Sequence, residues 1–204
     1  MNFKTLILTS ILIIAGAGTG AFAQTKNQTS PVSIKPEEEN KPEITLVSVY
    51  DNYQVDPDLK TAWGFGCIIK TPTKQILFDT GGDSEILLSN MRLMNIDPKS
   101  ISQVIISHIH RDHAGGLEGF LEKNSNVTVF IPSSFPNSIR NMITTKGAEF
   151  VNISSPREIS EFVYSTGELY GPPKEQSLVV NSKKGLIVIT GCAHPGVGNI
   201  IEIK

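Results

Sequence analysis

The chain has 204 residues and a formal net charge of −2, so it lacks the basic surplus that would bind a phosphate backbone, and nucleic-acid recognition by electrostatics is not expected. Beyond its N-terminal segments there is one domain's worth of chain with no internal repeat.

Lys4 gives a basic start, Leu6 to Ala15 form an apolar core, and Ala21-Phe22-Ala23 offers a small-residue cleavage site. That is the layout of a secretory signal peptide over residues 1–23. The apolar run is shorter than the ~20 residues of a comfortable transmembrane helix, so no stable membrane anchor is expected. No cysteine follows the small residues, so no lipid anchor is indicated. The chain is therefore expected to be exported, to a periplasm or beyond. Residues 24–42 are polar, proline-bearing and poor in apolar side chains, and read as a disordered linker. The globular domain is expected over 43–204.

Within it, Ile44–Val49, Phe65–Ile69 and Gln75–Phe78 read as an opening meander of strands, with a turn at Pro72-Thr73-Lys74. Ser84 to Met94 fits a helix with Asp83 as its N-cap. Gln103–Ser107 reads as a buried strand and Leu117–Glu122 as a short amphipathic helix. A strand at Val127–Ile131, a helix at Asn137–Thr144, and strands at Phe150–Ile153, Glu161–Tyr164, Leu178–Val180 and Leu186–Ile189 complete a mixed α/β chain.

Between the strand at 103–107 and the helix at 117–122 lie His108, His110, Asp112 and His113, in the pattern His-x-His-x-Asp-His. Three of the four histidines of the chain fall here. Imidazole nitrogen and carboxylate oxygen are the donors that zinc, manganese and iron favour. The segment reads as a metal site, for two ions rather than one. Alternation along an extended segment lets His108 and His110 point the same way. Asp112 and His113, after a turn, face a second metal position. The loop sits at the carboxyl end of a strand, where α/β sheets concentrate function.

This motif after a hydrophobic strand resembles the signature of the metallo-β-lactamase superfamily. Ile76–Gly82, ending in Asp79-Thr80-Gly81, resembles the superfamily's upstream Asp-Thr-Gly strand. Gly191-Cys192-Ala193-His194-Pro195-Gly196, with Glu175–Val180 before it, is similar to the branch of 7,8-dihydropterin-6-yl-methyl-4-(β-D-ribofuranosyl)aminobenzene 5′-phosphate synthases and related metal-dependent hydrolases. The resemblance runs from about Ile44 to the last residue. It implies an αββα sandwich, a divalent metal cofactor (two zinc ions, with manganese or iron as alternatives) and a small-molecule substrate. It also implies metal ligation by His108, His110, Asp112 and His113, with Asp112 orienting the nucleophile. Asp79 is expected behind the ligands, accepting a hydrogen bond from a ligand histidine or a loop amide, with a turn-capping aspartate as the alternative.

The sequence departs from the pattern in three places. The stretch Gly171–Glu175, where many members supply a third histidine to the first metal, has none, and His194 is the remaining imidazole that could take the role. Cys192 stands where relatives carry a bridging aspartate or a metal-binding cysteine, and a zinc-bound thiolate is chemically sound. A last histidine near the C-terminus is missing, so the domain is expected to be C-terminally truncated. Glu175 is expected to be a loop charge, with contact to the site as the alternative. Cys67 falls in an apolar strand, and no disulfide to Cys192 is expected.

A metal held here would lower the pKa of a bound water from 15.7 towards ~7 and deliver a nucleophile at neutral pH. Three functions are compatible: hydrolysis of an ester, lactone or phosphoester; the pterin-related synthase chemistry of the branch; or metal binding without catalysis. Export disfavours the second, whose folate-like phosphorylated precursor belongs in a cytoplasm.

Overall fold

The computed structural model describes residues 11–13 and 41–202. The remainder of the expected signal peptide and most of the expected linker lie outside the described residues. From the apolar run of that signal peptide, Ile11–Ile13 forms a short strand, β1.

The first half of the domain builds one six-stranded sheet from β2 (Thr45–Tyr50), β3 (Gly66–Lys70), β4 (Gln75–Phe78), β5 (Ile101–Ile105), β6 (Thr128–Pro132) and β7 (Glu149–Ile153), in that order. β2, β3 and β4 run antiparallel, β2 and β3 joined by a long loop over 51–65 and β3 and β4 by a tight turn, and β4 to β7 run parallel. Parallel neighbours need crossovers. These carry α1 (Ser84–Leu93), then α2 (Arg111–Ala114) and α3 (Leu117–Lys123), then α4 (Asn137–Thr145). Right-handed crossovers that all step in one direction put every helix on the same face. Asp83 caps α1 as expected, its side chain accepting from the amides of Glu85 and Ile86.

Strand alternation sorts the apolar side chains between two cores. Ile68, Leu77, Val104, Val129 and Ile131 pack under Leu87, Met91, Leu117, Phe120 and Ile143 of the helices. Cys67, Ile69, Ile76, Phe78, Ile105 and Phe130 face the other way, onto Ile159, Val163, Leu178, Val180 and Ile189 of a second sheet. That sheet is antiparallel, in the order β1, β11 (Gly185–Ile189), β10 (Leu178–Ser182), β9 (Val163–Ser165), β8 (Arg157–Ser160). After it comes α5 (Val197–Ile201). Burial on both faces explains why the strands around the middle of the first sheet read as continuous apolar runs.

One element differs from expectation. Glu161–Tyr164 is not a single strand: Glu161 and Phe162 form the turn of a β8–β9 hairpin, with Phe162 in the left-handed region (φ 67°). Of β8, only Ile159 is buried, so its polar sequence carries almost no apolar signal.

Candidate metal centre

The centre forms where β4 and β5 end and where loops of the second sheet come back over them. Asp79 follows β4 in a left-handed conformation (φ 57°), uncommon for a residue with a side chain. Its amide donates to the Ile105 carbonyl, and its fully buried carboxylate lies beneath the loop that follows β5. Oδ1 accepts from the Ser107 amide (2.6 Å), and Oδ2 accepts from the Ser107 hydroxyl (2.7 Å) and from His113 Nδ1 (2.7 Å). Burial pushes the Asp79 carboxyl above its ordinary range, against the pull of these donors. Burial lowers His113, yet the adjoining Asp79 carboxylate outweighs it and holds the imidazole above its usual pKa.

These contacts fix tautomers. The Ser107 hydroxyl gives its proton to Asp79, so His108 Nδ1, 2.9 Å from Ser107 Oγ, must be the donor in that contact. His108 is thereby protonated at Nδ1 and turns a bare Nε2 lone pair to the centre, and His113, donating from Nδ1 to Asp79, turns its Nε2 there as well. His108 Nε2 is buried and has no hydrogen-bond partner among the described residues, and the same holds for His194 Nε2. Two buried, orphaned imidazole nitrogens are costly unless something accepts their lone pairs.

Two donor sets share His108. The donor atoms of His108, His110 and His194 lie within 4.8 Å of one another, and so do those of His108, His113 and Cys192. Cys192 Sγ is 3.2 Å from His113 Nε2. Asp112, in the single turn of α2, places Oδ2 3.4 Å from His113 Nε2 at the partly exposed edge of the group. The structure thus brings together all the residues singled out by sequence. Borderline-soft imidazole and thiol donors at this spacing suit zinc, and the orphaned nitrogens fit an ion between them.

Sequence reading missed two contributors. Ser107 relays Asp79 to His108, and nothing in the residue type marks that role. Glu175, expected as a solvated loop charge, is wholly buried and accepts from Thr190, Gly191, Ala193 and His194. Cys67 and Cys192 are both free, and Cys67 is buried in the core between the sheets.

Two outcomes follow for the metal-free protein. Burial, aided by the neighbouring imidazoles, pushes His108 down to about 2. Unfolded, it titrates near ~6.5. Below that pH the unfolded chain binds a proton that the native state refuses, so stability falls as pH falls through ~6.5, by up to about 1.4 kcal/mol per unit from this residue. Urea midpoints at pH 7.5 and 5.5 should show a larger acid loss for the wild type than for His108→Asn. Burial, with Asp112, Glu175 and Asp79 nearby, raises the Cys192 thiol to about 11. Its alkylation by iodoacetamide should therefore climb about tenfold per pH unit from 7 to 10 without a plateau, because only the thiolate reacts. A plateau near 8.5 would contradict this.

A two-sheet sandwich with an imidazole-rich centre at its strand ends defines a recognisable class of protein. Residues 67–203, more than half of the chain, match the model of the Metallo-beta-lactamase superfamily, and the chain belongs to that superfamily. Among curated proteins it is similar to the 7,8-dihydropterin-6-methyl-4-(beta-D-ribofuranosyl)-aminobenzene-5'-phosphate synthase of Methanocaldococcus jannaschii, 27% identical over 173 residues covering 63% of this chain and 59% of the relative. It is also similar to ribonuclease Z of Nanoarchaeum equitans, 34% identical over 94 residues covering 43% and 28%. The chain spans about three fifths of the length of the synthase. Among solved structures, a quorum-quenching N-acyl homoserine lactone lactonase shares the fold with a TM-score of 0.52 at 17% identity, covering 72% of this chain and 71% of the other. Human tRNase Z, short form, does so with a TM-score of 0.50 at 16% identity, covering 72% and 68%.

Proposed function

We propose that this chain is a metal-dependent hydrolase, exported by its N-terminal signal and acting on an ester, lactone or phosphoester of small-molecule size. The observation that carries the reading is the pair of buried, unpartnered nitrogens, His108 Nε2 and His194 Nε2, aimed into one donor cluster. His108, His110 and His194 would hold one zinc ion, and His113, Cys192 and Asp112 a second, with manganese or iron as alternatives. A divalent ion so held supplies Lewis acidity and activates water at neutral pH. Asp112, at the partly exposed edge of the cluster, would hold the ion and orient the nucleophile. Asp79 and Ser107 keep His108 and His113 in the ligating tautomer throughout.

The test is the metal content of the purified protein, followed by turnover of p-nitrophenyl acetate, a simple lactone and bis(p-nitrophenyl) phosphate. Metal without turnover of any of them would leave a binding protein rather than a hydrolase. Export predicts a mature N-terminus at Gln24, read by mass spectrometry of the periplasmic or secreted fraction.

A second reading is favoured by one observation, the likeness to the synthase together with the Gly191–Gly196 run. In that case the same centre would serve pterin-related synthase chemistry. Product formation from a pterin and a phosphorylated ribosyl aminobenzene would select it over hydrolysis.

A further inference from the structure

Glu175 has no counterpart among the donor sets, yet it is among the most completely enclosed charged groups of the domain. Its backbone is pinned by reciprocal hydrogen bonds with Leu169 and by the next residue, where the Gln176 amide donates to the Ser107 carbonyl. The Gln176 side chain donates to the carbonyls of Ile106 and Phe130. The carboxylate is thus held against the end of β5, beside the residue that orients His108.

From there it gathers the loop after β11. Oε1 accepts from Thr190 Oγ1 (2.8 Å), the Gly191 amide (2.9 Å) and the Ala193 amide (3.1 Å), and Oε2 accepts from the His194 amide (2.9 Å). Four donors wrapping one anion oblige the loop to curl, and Ala193 takes a left-handed conformation (φ 56°) to do so. A Cβ at Gly191 would overlap the Ser107 hydroxyl, so only glycine lets the loop come this close. The curl sets His194 beside His108 and His110, with ring centroids 4.8 Å and 4.9 Å away. It sets Cys192 against His113.

We infer that Glu175 is the positioning residue that builds the second-sheet wall of the centre, presenting His194 and Cys192 to the His-x-His-x-Asp-His loop. It binds no metal itself, because both carboxylate oxygens are taken by the loop. The inference rests on the metal reading above for its effect on affinity, and on geometry alone for its effect on the loop.

The test uses the full chain and cobalt(II) as the probe. In Glu175→Gln the amide nitrogen must meet a donor on the loop. Without metal, exchange protection of the Gly191, Ala193 and His194 amides should drop at least tenfold, while Val104 and Ile105 in β5 stay protected. With metal, cobalt affinity should fall about 10–100-fold, as for other residues that orient ligands. Because Glu175 acts through His194 and Cys192, adding Glu175→Gln to a His194→Ala/Cys192→Ala background should weaken cobalt little beyond that background alone. Wild-type affinity and protection in Glu175→Gln would overturn the inference, as would a full additional loss on the His194→Ala/Cys192→Ala background. If the wild type binds no cobalt, the metal reading fails, and the amide protection alone decides the role of Glu175. Should Glu175→Gln not fold, Thr190→Val removes one of the four donors and must show a smaller loss of protection at the same amides, unchanged protection counting against the inference.

Discussion

Replacing His108 with alanine should reduce zinc affinity more than a hundredfold while leaving a folded protein. His108 lies in both geometric groupings and offers a buried, unpartnered Nε2 to the ion it would share with His110 and His194, so its loss takes the most enclosed ligand from that set. Zinc held by four ligands in small structural sites is worth roughly 10–16 kcal/mol, or about 3 kcal/mol per ligand, and each ~1.4 kcal/mol is a factor of ten. The folded state loses one hydrogen bond, from His108 Nδ1 to Ser107, but Ser107 keeps its own acceptor in Asp79. The cost to stability should therefore stay within about 1–3 kcal/mol. Competition with a chromophoric chelator measures the first quantity and a urea transition the second. His110→Ala is the comparison: exposed and a member of one set only, it should weaken zinc less. Equal affinity of His108→Ala and wild type would mean that the ion, if any, sits elsewhere.

Asp79 should separate stability from metal binding when it is changed in two ways. Asp79→Ala strips the partner from the Ser107 amide, the Ser107 hydroxyl and His113 Nδ1 at once, in a wholly buried place. Breaking one side of such a buried charged pair costs about 3–5 kcal/mol, which is a large part of the stability of a domain. Asparagine, in contrast, tolerates the left-handed backbone at 79 and can keep the bond from the Ser107 amide. Its amide nitrogen then faces His113 Nδ1 donor to donor. The imidazole must move its proton to Nε2, the atom that faces the centre. Asp79→Asn should therefore fold but bind zinc about 10–100-fold more weakly. Thermal melts of both variants, with zinc titrations of the second, check this. Wild-type zinc affinity in Asp79→Asn would show that the tautomer of His113 does not matter.

Much of this arrangement was legible in the sequence because it is written in side-chain type. The inner strands β4, β5 and β6 are largely buried on both faces, and the His-x-His-x-Asp-His loop concentrates donors that no packing requirement would place together. Asp79 was readable because an apolar strand ending in Asp79-Thr80-Gly81 resembles the superfamily's upstream strand, although a turn-capping aspartate would look the same in sequence. Glu175 was not. Three of its four donors are backbone amides, which every non-proline residue carries, so nothing in the sequence of 190–194 announces a carboxylate partner. The β8–β9 hairpin escaped for a related reason. Arg157, Glu158 and Ser160 lie outside the packed layer, and pairing of a polar outer strand depends on backbone groups rather than on an alternating apolar pattern.

The ties among Asp79, Ser107 and Glu175 also bear on the thermodynamics of loading. In a zinc finger the ligands are scattered until the ion arrives, so binding and folding are one event. Here the rings of His108 and His113 and the backbone of His194 are already held by hydrogen bonds that belong to the protein itself, so less chain entropy remains to be lost when an ion enters. Loading should thus act as simple ligation to a finished receptor. It would raise the melting temperature gradually with ion concentration, by about 2.7 kcal/mol of stability at a hundred times the dissociation constant. Chelation should lower that temperature again without melting the domain, and the far-ultraviolet circular dichroism of the stripped protein should match that of the loaded one.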